Sequence, residues 1–271
     1  MDPLAAVDQW PVGEAAVAVV RAGEVQATRG PMDRSFRLAS VTKLLSALTV
    51  LVAVEEGTVA LGDPAGPEGS TVAHLLAHAS GLGMDGARLT TPGRRRIYSN
   101  AGFDLLGWLV AERSGMPFAT YASEAVFEPL GMQSTSISGS PAWKASSTAA
   151  DLCAFAQELL RPTLVSEKTL AEATSVTFAG LKGIVPGFGR QDPNDWGLGF
   201  EIRGQKSPHW TGTRNSPGTF GHFGKFGTFL WVDPEVPGGG LGLVGLTDRE
   251  FGPWAAEAWP ALSDEVLAAY V

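Results

Sequence analysis

Residues 36–54 read Phe36-Arg37-Leu38-Ala39-Ser40-Val41-Thr42-Lys43-Leu44-Leu45-Ser46-Ala47-Leu48-Thr49-Val50-Leu51-Val52-Ala53-Val54, with Gly57 shortly after. In this stretch Leu44, Leu45, Leu48, Leu51, Val52 and Val54 recur largely at intervals of three and four, which predicts a helix closed by Gly57. The apolar run is too short to span a bilayer, so it predicts a buried helix. Ser40 and Lys43 stand at its start, three residues apart, and therefore share a face. A serine hydroxyl is a poor nucleophile until a base takes its proton. Lysine serves as that base only with a lowered pKa, which burial and the positive end of a helix both favour. The spacing alone is weak, since one S-x-x-K is expected about once by chance in a chain of this size.

Outward from that helix, Ala15–Val20 and Val25–Thr28 read as strands joined at Ala22-Gly23. From Thr71 to about Leu164 the pattern is mainly helical. Thr71 caps a helix Val72–Ala79, Asn100 opens Ala101–Ser114, and Thr148 precedes Ala149–Leu160. Strand patterns return at Gly197–Ile202, Thr228–Val232 and Gly240–Thr247, and a helix from Pro253 to Tyr270 ends the chain. Strands near both termini around a helical middle predict an α+β fold. An antiparallel sheet flanked by helices is built from both ends, with a mainly helical insertion. The expected division is a sheet-bearing part, residues 1–60 and 190–271, and a helical part, residues 61–189, with the site between them.

Composition narrows the function. Twenty Lys+Arg against 28 Asp+Glu give a net charge of −8, which argues against a nucleic-acid partner. The one basic run, Arg94-Arg95-Arg96, reads as a solvated loop. A single cysteine, Cys153, excludes an internal disulfide and reads as a buried thiol. The eight tryptophans read as core or cleft wall rather than a stacking platform. The N-terminus lacks the basic-then-apolar pattern of a signal peptide, so the expected location is cytoplasmic, with no membrane partner, unless a leader has been removed. His74 and His78 have the i, i+4 spacing of a metal pair, but Leu75 replaces the glutamate of H-E-x-x-H and no further ligand cluster is present. No metal and no cofactor are expected, and oligomeric state is not legible.

Two further stretches carry chemistry. Tyr98-Ser99-Asn100 follows the turn Pro92-Gly93. A phenol beside an ammonium can shuttle protons, and an asparagine amide can hold both lysine and a substrate carbonyl. Gly221-His222-Phe223-Gly224-Lys225 precedes the strand at Thr228, where glycines let substrate approach a strand edge.

In this order the three motifs resemble the serine β-lactamase and penicillin-binding protein superfamily, with its S-x-x-K and K-T-G signatures. The tyrosine version is similar to the branch of class C β-lactamases, D-alanyl-D-alanine carboxypeptidases and family VIII carboxylesterases. His74–Leu82, Phe127–Met132, Ser147–Leu152, Trp196–Gly199 and Leu230–Pro234 also look like that branch. The resemblance implies a β-lactamase-like fold, Ser40 as acyl-enzyme nucleophile and Lys43 as its proton acceptor. It implies Tyr98 as general base and acid, and Asn100 as a substrate-orienting group. His222, Phe223 and Gly224 would occupy the third motif, with the N–H groups of Ser40 and Lys225 as oxyanion hole. A second register, Lys225-Phe226-Gly227, keeps the lysine of K-T-G but fits Gly221-His222 and the distance to Asp233-Pro234 less well.

Phe223 stands where relatives carry a threonine that helps bind a free carboxylate, and a phenyl ring donates no hydrogen bond. The interval between Ser40 and Tyr98 is short, which implies a trimmed helical region and an open cleft. The expected function is therefore a serine hydrolase of small esters or amides, foremost a carboxylesterase. A β-lactamase or D-amino-acid peptidase or amidase is the alternative, and a non-turnover binding or sensor protein is the reading outside enzymes. Whether Lys43 or Tyr98 is the acylation base stays open, since the pair titrates together.

Overall fold

Strand-forming segments from the two ends of the chain meet in one sheet. The computed structural model describes residues 2–271. The chain opens with the hairpin β1 (Ala15–Arg21) and β2 (Glu24–Arg29), then β3 (Ser35–Arg37) and helix α1 (Thr42–Glu55). The middle holds α2 (Val72–Leu76), α3 (Asn100–Ser114), α4 (Phe118–Ala122), β4 (Ser136–Ile137), β5 (Ala145–Thr148), α5 (Ala149–Leu160) and α6 (Glu167–Ala173). Short strands β6 (Gly183–Val185), β7 (Gly189–Gln191) and β8 (Glu201–Ile202) follow. The chain closes with β9 (Phe220–Gly224), β10 (Thr228–Asp233), β11 (Leu241–Thr247) and α7 (Pro253–Tyr270).

The main sheet runs β2-β1-β11-β10-β9-β8, and every pairing in it is antiparallel. Its central strands are buried on both faces, which explains their near-continuous apolar runs. Alternate residues serve two cores. Ala16, Ala18, Val20, Leu230, Val232, Val244 and Leu246 face the helical core around α1. Val17, Val19, Phe229, Trp231, Leu241 and Leu243 face a layer closed by Trp259, Leu262 and Val266 of α7. Burying each such large side chain stabilises the fold by about 1.5–3 kcal/mol.

The register carries this alternation across the sheet to the site. Ala18 lies opposite Val244, Val244 opposite Leu230, and Leu230 opposite His222. The neighbouring row joins Val17, Gly245, Phe229 and Phe223. His222 is thereby turned to the helical core and Phe223 to the α7 layer. A slip of one residue would exchange them.

Several boundaries differ from the sequence reading. The segment 221–225, expected only to precede the strand at Thr228, is largely strand itself, since Phe220–Gly224 pairs with β10. Of Gly197–Ile202 only Glu201–Ile202 pairs. The chain turns at Gly199, whose φ of +94° and contact with Ala47 of α1 leave no room for a Cβ. Helix α2 stops at Leu76 rather than Ala79, since His78 has a φ of +54° and Arg96 takes the Ala77 carbonyl. The mainly helical middle also contributes β4 and β5 to a small sheet, β3-β5-β4, with β3 of the N-terminal part. Trp108 is exposed on α3, unlike the core tryptophans Trp210, Trp231 and Trp259. Cys153 is buried, and burial pushes its thiol up to about 12. Among the described residues no helix is long and apolar enough to cross a membrane.

Candidate active site

Ser40 lies on a turn of 3-10 helix, Ala39–Val41, that leads directly into α1. Ala39 before it has a φ of +47°, a conformation that costs a non-glycine residue roughly 1–3 kcal/mol. The surroundings hold it there. Thr228 Oγ1 donates to the Leu38 carbonyl at 2.7 Å, and Leu38 N donates to the Ala145 carbonyl at 2.9 Å. Gly224 packs so closely on the Leu38 carbonyl that a Cβ would collide with it. The glycine of the third motif thus seats the loop that presents Ser40.

Lys43 is 0% exposed. Its Nζ lies 2.7 Å from Asn100 Oδ1, 2.8 Å from the Ala142 carbonyl and 3.4 Å from Ser40 Oγ. Burial pulls its pKa well below the usual lysine value, against the opposing charge of Asp104. A neutral amine has two N–H bonds, which Asn100 and Ala142 satisfy, and one lone pair, which is left for the Ser40 hydroxyl. The Nζ also lies 4.6 Å from the centroid of the Tyr98 ring.

Tyr98 Oη donates to Ser40 Oγ at 2.7 Å. Burial raises its pKa above the ordinary phenol value, more than the bond to Ser40 lowers it. The free site therefore holds Tyr98 as a phenol. Ser99, not Asn100, caps α3: its Oγ accepts from Gly102 N at 3.0 Å and donates to the Gly83 carbonyl at 2.7 Å. That leaves the Asn100 amide free to meet Lys43.

The loop carrying Tyr98 is anchored by Arg96, which is 3% exposed, against its reading as part of a solvated run. Its guanidinium donates to the carbonyls of Asn194 at 3.0 Å, Thr177 at 2.9 Å and Phe178 at 3.2 Å, as well as to Ala77. Arg94 and Arg95 are exposed. His78, beyond the end of α2, accepts at Nδ1 from Ser99 N at 3.2 Å and stands 4.6 Å from the Tyr98 ring. His74 instead stacks on Phe178 at 4.2 Å.

From the third motif, His222 places its ring 5.5 Å from that of Tyr98. Its Nδ1 lies 2.6 Å from the Phe223 carbonyl, so the hydrogen there is assigned to Nδ1. Burial, with Lys43 nearby, pushes its pKa down to about 3. His222 is neutral at physiological pH. Strand β8 pairs only with Phe220 and Gly221, which leaves His222–Gly224 as an open strand edge. The Phe223 ring packs among Phe188, Trp210, Phe251 and Trp259. Lys225 lies in the β9–β10 turn with its side chain 75% exposed, 3.8 Å from Glu250.

Ser40, Tyr98, Asn100, His222, Phe223 and Lys225 line one cavity of about 430 Å³. Met84, Trp143, Pro186, Gly187, Phe226 and Phe251 complete a largely apolar wall. Trp143 fits the reading of the tryptophans as core or cleft wall, and Phe226 lies in the second register of the third motif. Met84, Pro186, Gly187, Phe251 and the Ala142 carbonyl on Lys43 carry no sequence signal, because they come from separate loops without periodicity or motif.

Comparisons with known proteins bear on the family and the fold. A family model described as Beta-lactamase matches residues 7–268. A crystal structure described as a β-lactamase from Mycobacterium bovis is 56% identical, covers 99% of each chain and superposes with a TM-score of 0.97. The D-alanyl-D-alanine-carboxypeptidase/endopeptidase AmpH of Escherichia coli K12 is 29% identical over 42% of this chain and 39% of its own length. Esterase EstB of Burkholderia gladioli is 35% identical over 37% of this chain and 38% of its own length. The match thus spans about two fifths of these two curated relatives.

Proposed function

We propose that this chain, which belongs to the β-lactamase family, is a serine hydrolase that cleaves small esters, foremost a carboxylesterase. The observation that carries this reading is the buried Lys43, held by neutral oxygens with its remaining position turned to Ser40 Oγ. The proton of Ser40 passes to Lys43 while Oγ bonds to the substrate carbonyl carbon. The N–H groups of Ser40 and Lys225 hold the resulting oxyanion. As the tetrahedral adduct collapses, Tyr98 gives its phenol proton to the leaving oxygen, and the proton held by Lys43 restores the phenol. Water then attacks the acyl-Ser40 ester by the reverse proton path, with Asn100 orienting both Lys43 and the substrate carbonyl.

The apolar wall favours an uncharged acyl group. Phe223 offers no hydroxyl to a carboxylate beside the scissile bond, and the adjacent cation, Lys225, faces solvent near Glu250. A β-lactamase activity is the second reading, favoured by the 56% identical Mycobacterium bovis relative. The test is a panel of short p-nitrophenyl esters, anilides and nitrocefin, run on wild type and Ser40→Ala. Ester turnover that vanishes in Ser40→Ala, with a fluorophosphonate adding mass at Ser40, is expected. Faster nitrocefin turnover would give the second reading the lead. Rapid labelling of Ser40 without product release would mark a binding or sensor protein instead, and no labelling at all would end the enzyme reading.

A further inference from the structure

Past Tyr98 the catalytic cavity adjoins a second, larger one of about 790 Å³, and the two share Met84, Tyr98 and Pro186. The second cavity is lined by Arg94, Arg95, Arg96, Lys182 and Arg190, and no carboxylate lines it. Arg96 is occupied by backbone carbonyls, and Lys182 pairs with Asp192 at 2.6 Å. Among the described residues Arg94, Arg95 and Arg190 make no ion pair and no side-chain hydrogen bond; the ion pairs other than Lys182–Asp192 lie elsewhere. In a chain of net charge −8, three exposed guanidinium groups without counter-charges ring one cavity. Such a single-sign cleft raises the local concentration of anions. The same wall carries Leu89 and Ile184, which are 64% and 66% exposed. An apolar stretch therefore lies beside the charges, next to the nucleophile's pocket.

We infer that this second cavity binds an anionic arm of the substrate, ending in a phosphate or carboxylate and joined by an apolar spacer to the group cleaved at Ser40. The arm belongs to the leaving group, because Tyr98, which protonates the leaving oxygen, forms the wall between the two cavities. This inference rests on the hydrolase reading above and adds to it the charge and shape of the leaving half. The guanidinium fork matches both phosphate and carboxylate oxygens.

The test uses aryl acetates matched in phenol acidity, with a para 2-phosphoethyl, 2-carboxyethyl or 2-methoxyethyl substituent. The wild type is expected to favour the anionic esters in kcat/KM by about tenfold or more at low salt, with the preference shrinking toward parity in about 0.5 M NaCl. The ratio of the two anionic esters tells phosphate from carboxylate. In the triple variant Arg94→Gln/Arg95→Gln/Arg190→Gln the preference is expected to collapse, whereas the distant exposed Arg113→Gln keeps it. Equal turnover of anionic and neutral esters by wild type overturns the inference and leaves the hydrolase reading standing. A preference that survives the triple variant also overturns it. Calorimetry with 4-(2-phosphoethyl)phenol provides a readout independent of turnover. Should Ser40 prove unreactive, the hydrolase reading fails, but binding that is lost in the triple variant upholds the anion site. Absence of binding to wild type overturns it.

Discussion

Two lysines of this protein are fully buried, Lys43 beside Ser40 and Lys206 behind the sheet edge, and their partners differ in one respect. Lys206 Nζ lies 3.1 Å from Glu201 Oε1 and donates to the carbonyls of Asp195, at 2.7 Å, and Ile202. Glu201 also meets His209 Nε2 at 3.2 Å and Trp210 Nε1 at 2.8 Å. Burial opposes a charge on Glu201, yet Lys206 and His209 hold it ionised, well below the usual carboxylate range. Burial also lowers the Lys206 pKa, and Glu201 works against that. Lys43 meets only an amide oxygen, a carbonyl and a hydroxyl. Burial by itself does not make a lysine a base. The carboxylate beside one and missing beside the other separates a structural ammonium from a reactive amine.

Four substitutions probe that contrast, in order of expected effect. Lys43→Met keeps the buried volume but removes the proton acceptor. The rate of Ser40 labelling by a fluorophosphonate is expected to fall by about 10²–10⁴, with the thermal midpoint little changed. Lys206→Met strands the Glu201 carboxylate in the interior. A stability loss of about 3–5 kcal/mol is expected in urea unfolding, while Ser40 of the folded fraction labels at near the wild-type rate. Adding Glu201→Gln to Lys206→Met should restore most of that stability, because no charge is left buried. Asn100→Asp then makes Lys43 resemble Lys206 by placing a carboxylate within hydrogen-bond reach of its Nζ. Labelling at pH 7 is expected to drop by about 10–100-fold and to recover as the pH is raised. An unchanged rate in Asn100→Asp would mean that the charge state of Lys43 does not limit acylation.

The same contrast explains what the sequence made legible. Ser40 and Lys43 could be paired because helical spacing puts them on one face, and the apolar residues after them mark that helix as buried. Residues 98–100 stood out through their likeness to a known motif. His222 and Phe223 could be placed on opposite faces of the sheet, one toward the helical core and the other toward α7, only once the strand register was known, since alternation acts from an established frame. Arg96 was misread as solvated because its partners are four backbone carbonyls, and no residue pattern announces a carbonyl. The Glu201–Lys206–His209 cluster escaped notice for a related reason. Glu201 opens a two-residue strand, and Lys206 and His209 lie on the irregular chain after it, where no periodicity relates one side chain to the next. The wall residues Met84, Trp143, Pro186 and Phe251 converge from four loops, a meeting set by tertiary packing alone.

The central claim is that Lys43 is a neutral amine when it takes the Ser40 proton. The most direct measurement is the pH dependence of Ser40 labelling by a fluorophosphonate, followed by mass in wild type and Lys43→Met. The deprotonated amine is the active form, so the rate should climb with pH and level off. Its inflection should lie well below the ordinary lysine value of 10.5 and be absent in Lys43→Met. A wild-type rate still climbing through that ordinary value, or the same curve in both proteins, would contradict the account.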